Sequence, residues 1–546
     1  MENNYSNLDW MIHWSLPKYH PRNSQIVLIN KINNAIQEGS KNIILEAGTG
    51  IGKSAIATTI ANMYEDSYIL TMTKQLQEQY LDDFGAMLVE IKGRGNYDCN
   101  YNGTCDFCIK SEYNLAKCKD CDYLTALNIA KDSENVITNY DYFYYAGVAN
   151  PTLNSRELLI LDEAHNLERK MLALSSNELN REYIATKFGI DIFEPLMNRF
   201  KSVNYLKRHP DYWMDLCDDL VGHCSDNIKE IEGEHKQDVQ VTLDEFESDP
   251  DRFSNFNYVE KQQLEADAKT FNSIKLGLEA KDLIIDLPDI EMIRSNRMDI
   301  STEFKPYSVV DETNNLLKLG NIRIFLTGTL GSKEKFCEWN NINPDETFYI
   351  YQKSPFDVKN RPIYTDFVGS MSGRRRNVPR WKNEKALLKV KELLDKHPDQ
   401  KGVVHTSSNE QAHWIMENLK EYNFMFVGGS NRNEVLSEFS ESDDSIVLIG
   451  ASIKDGVDFK GDLCRFQIIF KIPYPQLNEQ VKYRKDLDPK WYYYQAVMSL
   501  MQAYGRGIRD KDDWCVMYII DSDFMRLFDF NRNFFNEYFS EAIKNK

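Results

Sequence analysis

Residues 42–60 constrain the fold more than any other stretch. Asn42-Ile43-Ile44-Leu45 is an apolar run of strand length. Glu46-Ala47-Gly48-Thr49-Gly50-Ile51-Gly52-Lys53-Ser54 follows, and then an Ala/Ile/Thr stretch at helical spacing. Strand, glycine-rich loop and helix, in that order, form a phosphate-binding P-loop, here with Ala47 where the first glycine usually stands. The backbone N–H groups of Gly48, Thr49, Gly50, Ile51 and Gly52 can turn inward to cradle phosphate oxygens. Lys53 brings a point charge to the β and γ phosphates, and the Ser54 hydroxyl can ligate Mg²⁺. The helix that opens here aims its positive end at the same oxygens. The unit predicts ATP binding on a parallel α/β sheet.

The rest of the chain supplies strands for that sheet and for a second one. Tyr68–Thr71, Leu158–Leu161 and Ile322–Thr327 are unbroken apolar runs alternating with helical stretches, as in a parallel sheet covered on both faces. After Pro355 the pattern begins again, with Gly402–Thr406, Ser445–Ile449, Phe466–Phe470 and Cys515–Ile520. Leu161 runs into Asp162-Glu163-Ala164-His165. Asp162 would hold Mg²⁺, and Glu163 would orient and deprotonate an attacking water. Gln502-Ala-Tyr-Gly505-Arg506-Gly-Ile-Arg509 lies near the far end. Two arginines three apart on a helix can point the same way, and phosphoryl transfer needs positive charge where bonds break. With the P-loop in one domain and Arg506 and Arg509 in the other, ATP sits at a seam, and hydrolysis opens and closes it.

The 546 residues carry a net charge of −19, which taken alone argues against a polyanion-binding protein. The excess is uneven: residues 166–300 hold 28 acids against 17 bases. That stretch is helical in period and poor in apolar strands. It reads as an insertion, with Asp238–Asp251 as a solvated loop or helix face. No apolar run reaches the ~18 residues needed to cross a bilayer, and Met1–Trp14 has no basic segment leading into an apolar core. The expectation is a soluble, intracellular protein, cytoplasmic or nucleoid-associated. Five of ten cysteines cluster as Cys99, Cys105, Cys108, Cys118 and Cys121. In such a chain this reads as a metal site rather than a disulfide framework. Spacing alone suits either an iron–sulfur cluster or a four-cysteine zinc knuckle.

The ordered motifs resemble the XPD/DinG branch of superfamily 2 helicases over nearly the whole chain. They are the P-loop, Thr71-Met-Thr73-Lys74-Gln75-Leu76, Lys92-Gly-Arg94-Gly-Asn96-Tyr97-Asp-Cys99, Thr138-Asn139-Tyr140, Asp162-Glu163-Ala164-His165, Gly328-Thr329-Leu330, Ser354-Pro355-Phe356, Asp455-Gly456-Val457-Asp458-Phe459 and Gln502 to Arg509. The resemblance implies an α/β fold of two RecA-like parallel-sheet motor domains, with an iron–sulfur domain and a helical arch inserted in the first. The boundaries expected are 1–92, 123–168 and 306–350 for the first motor domain, 93–122 for the iron–sulfur domain, 169–305 for the arch, and 351–546 for the second motor domain. By the same resemblance Arg22 and Gln25 contact adenine, Gly456 and Asp458 couple ATP to the strand, Gln502 belongs to the catalytic set, and Arg506 and Arg509 are arginine fingers.

The family pattern around Cys99 and Cys121 implies a [4Fe–4S] cluster. Two of Cys105, Cys108 and Cys118 would complete its ligands. The activity implied is ATP-dependent 5′→3′ unwinding of tailed duplex DNA by a monomer moving on single-stranded DNA. Repair is its expected setting, and no nuclease domain is seen. Two other readings compete: a nucleic-acid-stimulated ATPase that remodels protein–DNA complexes without unwinding, and a zinc-bearing module whose ATP cycle switches affinity.

Overall fold

The computed structural model describes residues 13–16, 20–99, 103–104, 121–194, 206–207, 209–234, 258–375, 377–428, 432–451, 453, 459, 461–509 and 512–544. Cys105, Cys108, Cys118, Gly456, Asp458 and the stretch Asp238–Asp251 lie outside the described residues.

Two all-parallel seven-stranded sheets organise the chain. The first contains β1 (Asn42–Ala47), β2 (Ser67–Thr71), β3 (Val89–Glu90), β4 (Asn135–Asn139), β5 (Arg156–Leu161), β6 (Gly320–Thr327) and β7 (Thr347–Gln352), in the order β7-β1-β6-β5-β2-β4-β3. The second contains β8 (Ile363–Gly369), β9 (Gly402–His405), β10 (Phe424–Phe426), β11 (Val447–Gly450), β12 (Phe466–Ile469), β13 (Val516–Asp521) and β14 (Ile543–Lys544), in the order β10-β11-β9-β12-β13-β8-β14. These are two RecA-like lobes.

Period-two alternation explains why the central strands are apolar without a break. Ile43, Leu45, Leu158, Ile160 and Ile324 pack on one face with Leu28, Ile29 and Ile56. Ile44, Leu159, Leu161 and Phe325 pack on the other with Tyr140, Phe143 and Met171. Pairing then aligns the strand ends. Leu45 lies beside Leu326 and Glu46 beside Thr327, while Phe325 lies beside Leu161. The loops after β1, β5 and β6 therefore emerge together at the carboxyl edge, where ligands of parallel sheets bind.

Between β5 and β6 the chain builds a separate layer. Helices Pro210–Glu234 and Tyr258–Glu279 pack on each other over a core that includes Trp213, Leu220, Phe271 and Phe304. The helical expectation for this insertion omits one feature. Asn177–Asn180, Ser301–Pro306 and Leu283–Asp286 form a three-stranded antiparallel sheet at its base. Ser301–Pro306 alternates intermediate and buried residues, a half-covered pattern that a search for continuous apolar runs overlooks. Among the described residues no helix is long and apolar enough to cross a membrane.

Candidate nucleotide site between the lobes

The glycine-rich loop is held from behind. Gly50 and Gly52 have φ of +82° and +83°. A Cβ on Gly50 would lie 2.4 Å from Phe356 Cζ, and one on Gly52 would lie 2.6 Å from Gln25 Nε2. Backbone conformation and space both require glycine there. Arg22 donates from Nη1 to Gly50 O (2.6 Å) and from Nη2 to Ile51 O (3.2 Å), and Gln25 Nε2 donates to Ile51 O (3.0 Å). Fixing these carbonyls turns the N–H groups of the same planar peptide units, those of Ile51 and Gly52, the opposite way. Ser354 Oγ adds a bond to Thr49 O (2.9 Å). Lys53 opens the following helix, and its Nζ donates to Ala47 O (3.1 Å).

The two carboxylates after β5 occupy different environments. Asp162 is buried. Its Oδ2 accepts from Tyr80 Oη (3.0 Å) and its Oδ1 from Glu163 N (2.9 Å). Burial, and then the neighbouring Glu163 charge, push its carboxyl up to about 6 against the pull of Lys53. A buried carboxylate so poorly compensated, beside Ser54 at the start of the P-loop helix, fits a divalent cation. Glu163 adopts φ +50°, a left-handed conformation costing ~1–2 kcal/mol for a residue with a Cβ. Burial raises its carboxyl too, but His165, Lys53, Arg506 and Arg509 together bring it below the usual glutamate value. The environments thus separate the pair, one favouring a proton and the other an ionised base.

The second lobe closes this site. Lys53, Glu163 and His165 share a cleft of about 960 Å³ with Gln502, Arg506, Arg509 and Tyr538. Gln502 lies in the last turn of helix Pro489–Tyr504, and its side-chain amide meets His165 Nε2. His165 Nδ1 sits 2.8 Å from Thr327 Oγ1 at the end of β6. The helical placement expected for the arginines is corrected. The helix ends at Tyr504, with Gly505 as its C-cap, and Arg506 and Arg509 belong to the turn beyond it. They face Glu163 because that turn enters the cleft, not because of helical periodicity. The same helix bonds the first lobe through Tyr494 Oη to Leu330 O (2.8 Å) and Trp491 Nε1 to Glu168 Oε2 (2.8 Å). Arg484 pairs with Glu168 as well.

Tyr80 carries no sequence signal of this role. An aromatic on the inner face of an amphipathic helix reads as core, and only its hydroxyl contact with Asp162 distinguishes it.

Two of the five clustered cysteines fall among the described residues. Cys99 lies in the short strand Asp98–Cys99, paired with Gly103–Thr104. Cys121 is buried at the N-cap of helix Asp122–Asp132, where its Sγ accepts from Leu124 N (3.5 Å). A backbone N–H aimed at the sulfur suits a metal-bound thiolate. Tyr97 and Tyr123 pack edge-to-face at 5.7 Å, and Tyr123 Oη lies 3.1 Å from Tyr142 Oη. These two aromatics are therefore packing residues.

Residues 390–541 match the helicase C-terminal domain family, and residues 18–192 match the type III restriction enzyme res subunit family. A probable ATP-dependent helicase of Methanocaldococcus jannaschii is 22% identical over 92% of this chain and 92% of its own. The ATP-dependent DNA helicase YoaA of Haemophilus influenzae is 21% identical over 95% of this chain and 93% of its own. Among solved structures, an XPD helicase superposes with a TM-score of 0.62 at 16% identity, covering 94% of this chain and 97% of the other. The Xpd4 structure of S. tokodaii gives 0.57 at 15% identity, covering 96% and 99%. The chain resembles the XPD/DinG-type helicases: it has their two-lobed fold and carries helicase domains, and it is an enzyme of that build.

Proposed function

From that helicase build we infer that the protein is an ATP-dependent DNA helicase. It moves 5′→3′ along single-stranded DNA and separates tailed duplexes. The observation that carries this reading is the reach of Arg506 and Arg509, on the second lobe, to Glu163 on the first, within one cleft with Lys53. In this reading Ala47 to Ser54 hold the phosphates, with Arg22 and Gln25 behind the loop. Ser54 and Asp162 hold Mg²⁺, which when bound neutralises phosphate charge. Glu163 takes the proton of the attacking water. Arg506 and Arg509 stabilise charge on the transferring phosphoryl group, and Gln502 ties the base's neighbour His165 to the same lobe. Loss of the γ-phosphate removes what the arginines hold, so the lobes part and rejoin once per turnover. Gly456 and Asp458 are proposed to pass that motion to the strand.

Residues 93–122 are proposed as a [4Fe–4S] domain, with Cys99, Cys121 and two of Cys105, Cys108 and Cys118 as ligands. The cluster would supply rigidity in place of a core too small to form there. Cys121 at a helix N-cap supports this assignment. The test is unwinding of duplexes carrying a 5′ or a 3′ single-stranded tail, by protein purified anaerobically and checked for absorbance near 400 nm and acid-labile sulfide. Unwinding of the 5′-tailed duplex by brown protein is expected. Strand-stimulated hydrolysis without unwinding would favour a remodelling ATPase instead.

A further inference from the structure

A basic hairpin on the second lobe stands outside the nucleotide cleft. Residues 374–385 contain Arg374, Arg375, Arg376, Arg380, Lys382 and Lys385 against the single acid Glu384, in a chain of net charge −19. Arg374 and Arg375 pair antiparallel with Pro379 and Val378, and Arg380 N closes the hairpin on Gly373 O (3.0 Å). Arg374, Arg375 and Arg380 are exposed, as is Val378 beside them. Among the described residues none of these three guanidinium groups pairs with a carboxylate. Some other cations on this lobe do pair with acids: Lys391 with Glu421, Lys396 with Glu392, and Arg465 with Asp462 and Asp513.

The hairpin is rooted at both ends. Before it, Met371 is fully buried and its N–H donates to Asp521 Oδ1 (3.0 Å). After it, Trp381 is buried edge-to-face on Trp414 at 5.7 Å, and Lys382 pairs with Glu410 at 3.0 Å. It follows β8, so it leaves the carboxyl edge of the second sheet, as does the loop Thr406–Ser408 after β9. Asp521 binds the hairpin's root and also Ile472 N (3.0 Å), in the loop after β12. β9 and β8 are three strand steps apart, about 14 Å at the usual strand spacing.

We propose that this hairpin binds the phosphodiester backbone of single-stranded DNA at the carboxyl edge of the second lobe. The inference rests on the helicase reading and adds a contact to it. Exposed guanidinium groups without carboxylate partners suit phosphates, and phosphate contacts give affinity without sequence preference.

The test is binding of a fluorescent oligothymidylate and of a blunt duplex across a salt series. It compares the full-length protein with the R374A/R375A/R380A and R374K/R375K/R380K variants. For the alanine variant, single-strand affinity at low salt is expected to fall roughly tenfold, and the slope of log affinity against log salt to flatten by about 2. The lysine variant should recover most of both, and ATP turnover without DNA should stay unchanged in each. Wild-type and alanine proteins sharing one affinity and one slope would overturn the proposal, as would a loss confined to the blunt duplex. A wild-type protein that binds neither probe would overturn the helicase reading as well, which separates the two failures.

Discussion

The imidazole of His165, which ends the acidic run of the first lobe, meets the side-chain amide of Gln502 in the last turn of a helix of the second. His165 also contacts Thr327 at the end of β6 and lies 3.4 Å from Glu163 Oε2. One ring therefore touches Glu163, the first sheet and the opposite lobe.

Gln502→Ala should uncouple the lobes rather than stop chemistry. Loss of one hydrogen bond to a partly buried ring costs on the order of 1–3 kcal/mol. Stimulation of ATP turnover by single-stranded DNA is expected to drop at least tenfold, with unstimulated turnover nearly intact. Equal losses in both rates would contradict this.

Tyr80→Phe deletes the hydroxyl that donates to Asp162 and leaves the buried ring. Outer-shell partners of metal ligands are worth about 10–100-fold in metal affinity. The Mg²⁺ concentration for half-maximal ATP turnover should therefore rise about tenfold, with melting temperature little changed. An unaltered Mg²⁺ titration would remove Tyr80 from the site.

Asp521 makes a pH prediction away from the nucleotide. Burial raises its carboxyl to about 6 from 3.8, despite bonds from Ile472, Asp523 and Met371. The folded protein keeps a proton that the unfolded chain releases in that window, so stability from this group is present below it and lost as pH rises through it. The shift corresponds to about 3 kcal/mol. The melting temperature of wild type relative to Asp521→Asn should fall between pH 4 and pH 6.5, and parallel curves would contradict this.

Much of the site was legible because its chemistry is local. The P-loop is a strand, a turn and a helix in succession, and Asp162-Glu163 directly follows an apolar strand. Strands with mixed or short patterns were not legible. Asn135–Asn139 is buried throughout, yet two asparagines and a threonine obscure it, and Thr347–Gln352 at the sheet edge exposes Phe348 and Tyr351. Contacts between layers of one lobe were less legible still. Nothing in the order of residues says that Tyr80 reaches Asp162, or that Arg22 holds Gly50 O, because those pairs depend on how whole layers stack. Spacing places Arg506 and Arg509 on a helix, but the helix stops at Tyr504 before reaching them.

The most direct test of the account is ATP turnover by the R506A/R509A variant, measured beside its affinity for a fluorescent ATP analogue. In the proposed function the nucleotide is cradled by one lobe and its hydrolysis assisted by the other. Binding should therefore remain within a few-fold of wild type while DNA-stimulated turnover falls roughly a thousandfold or more. Turnover within a few-fold of wild type would contradict a catalytic site shared between the lobes.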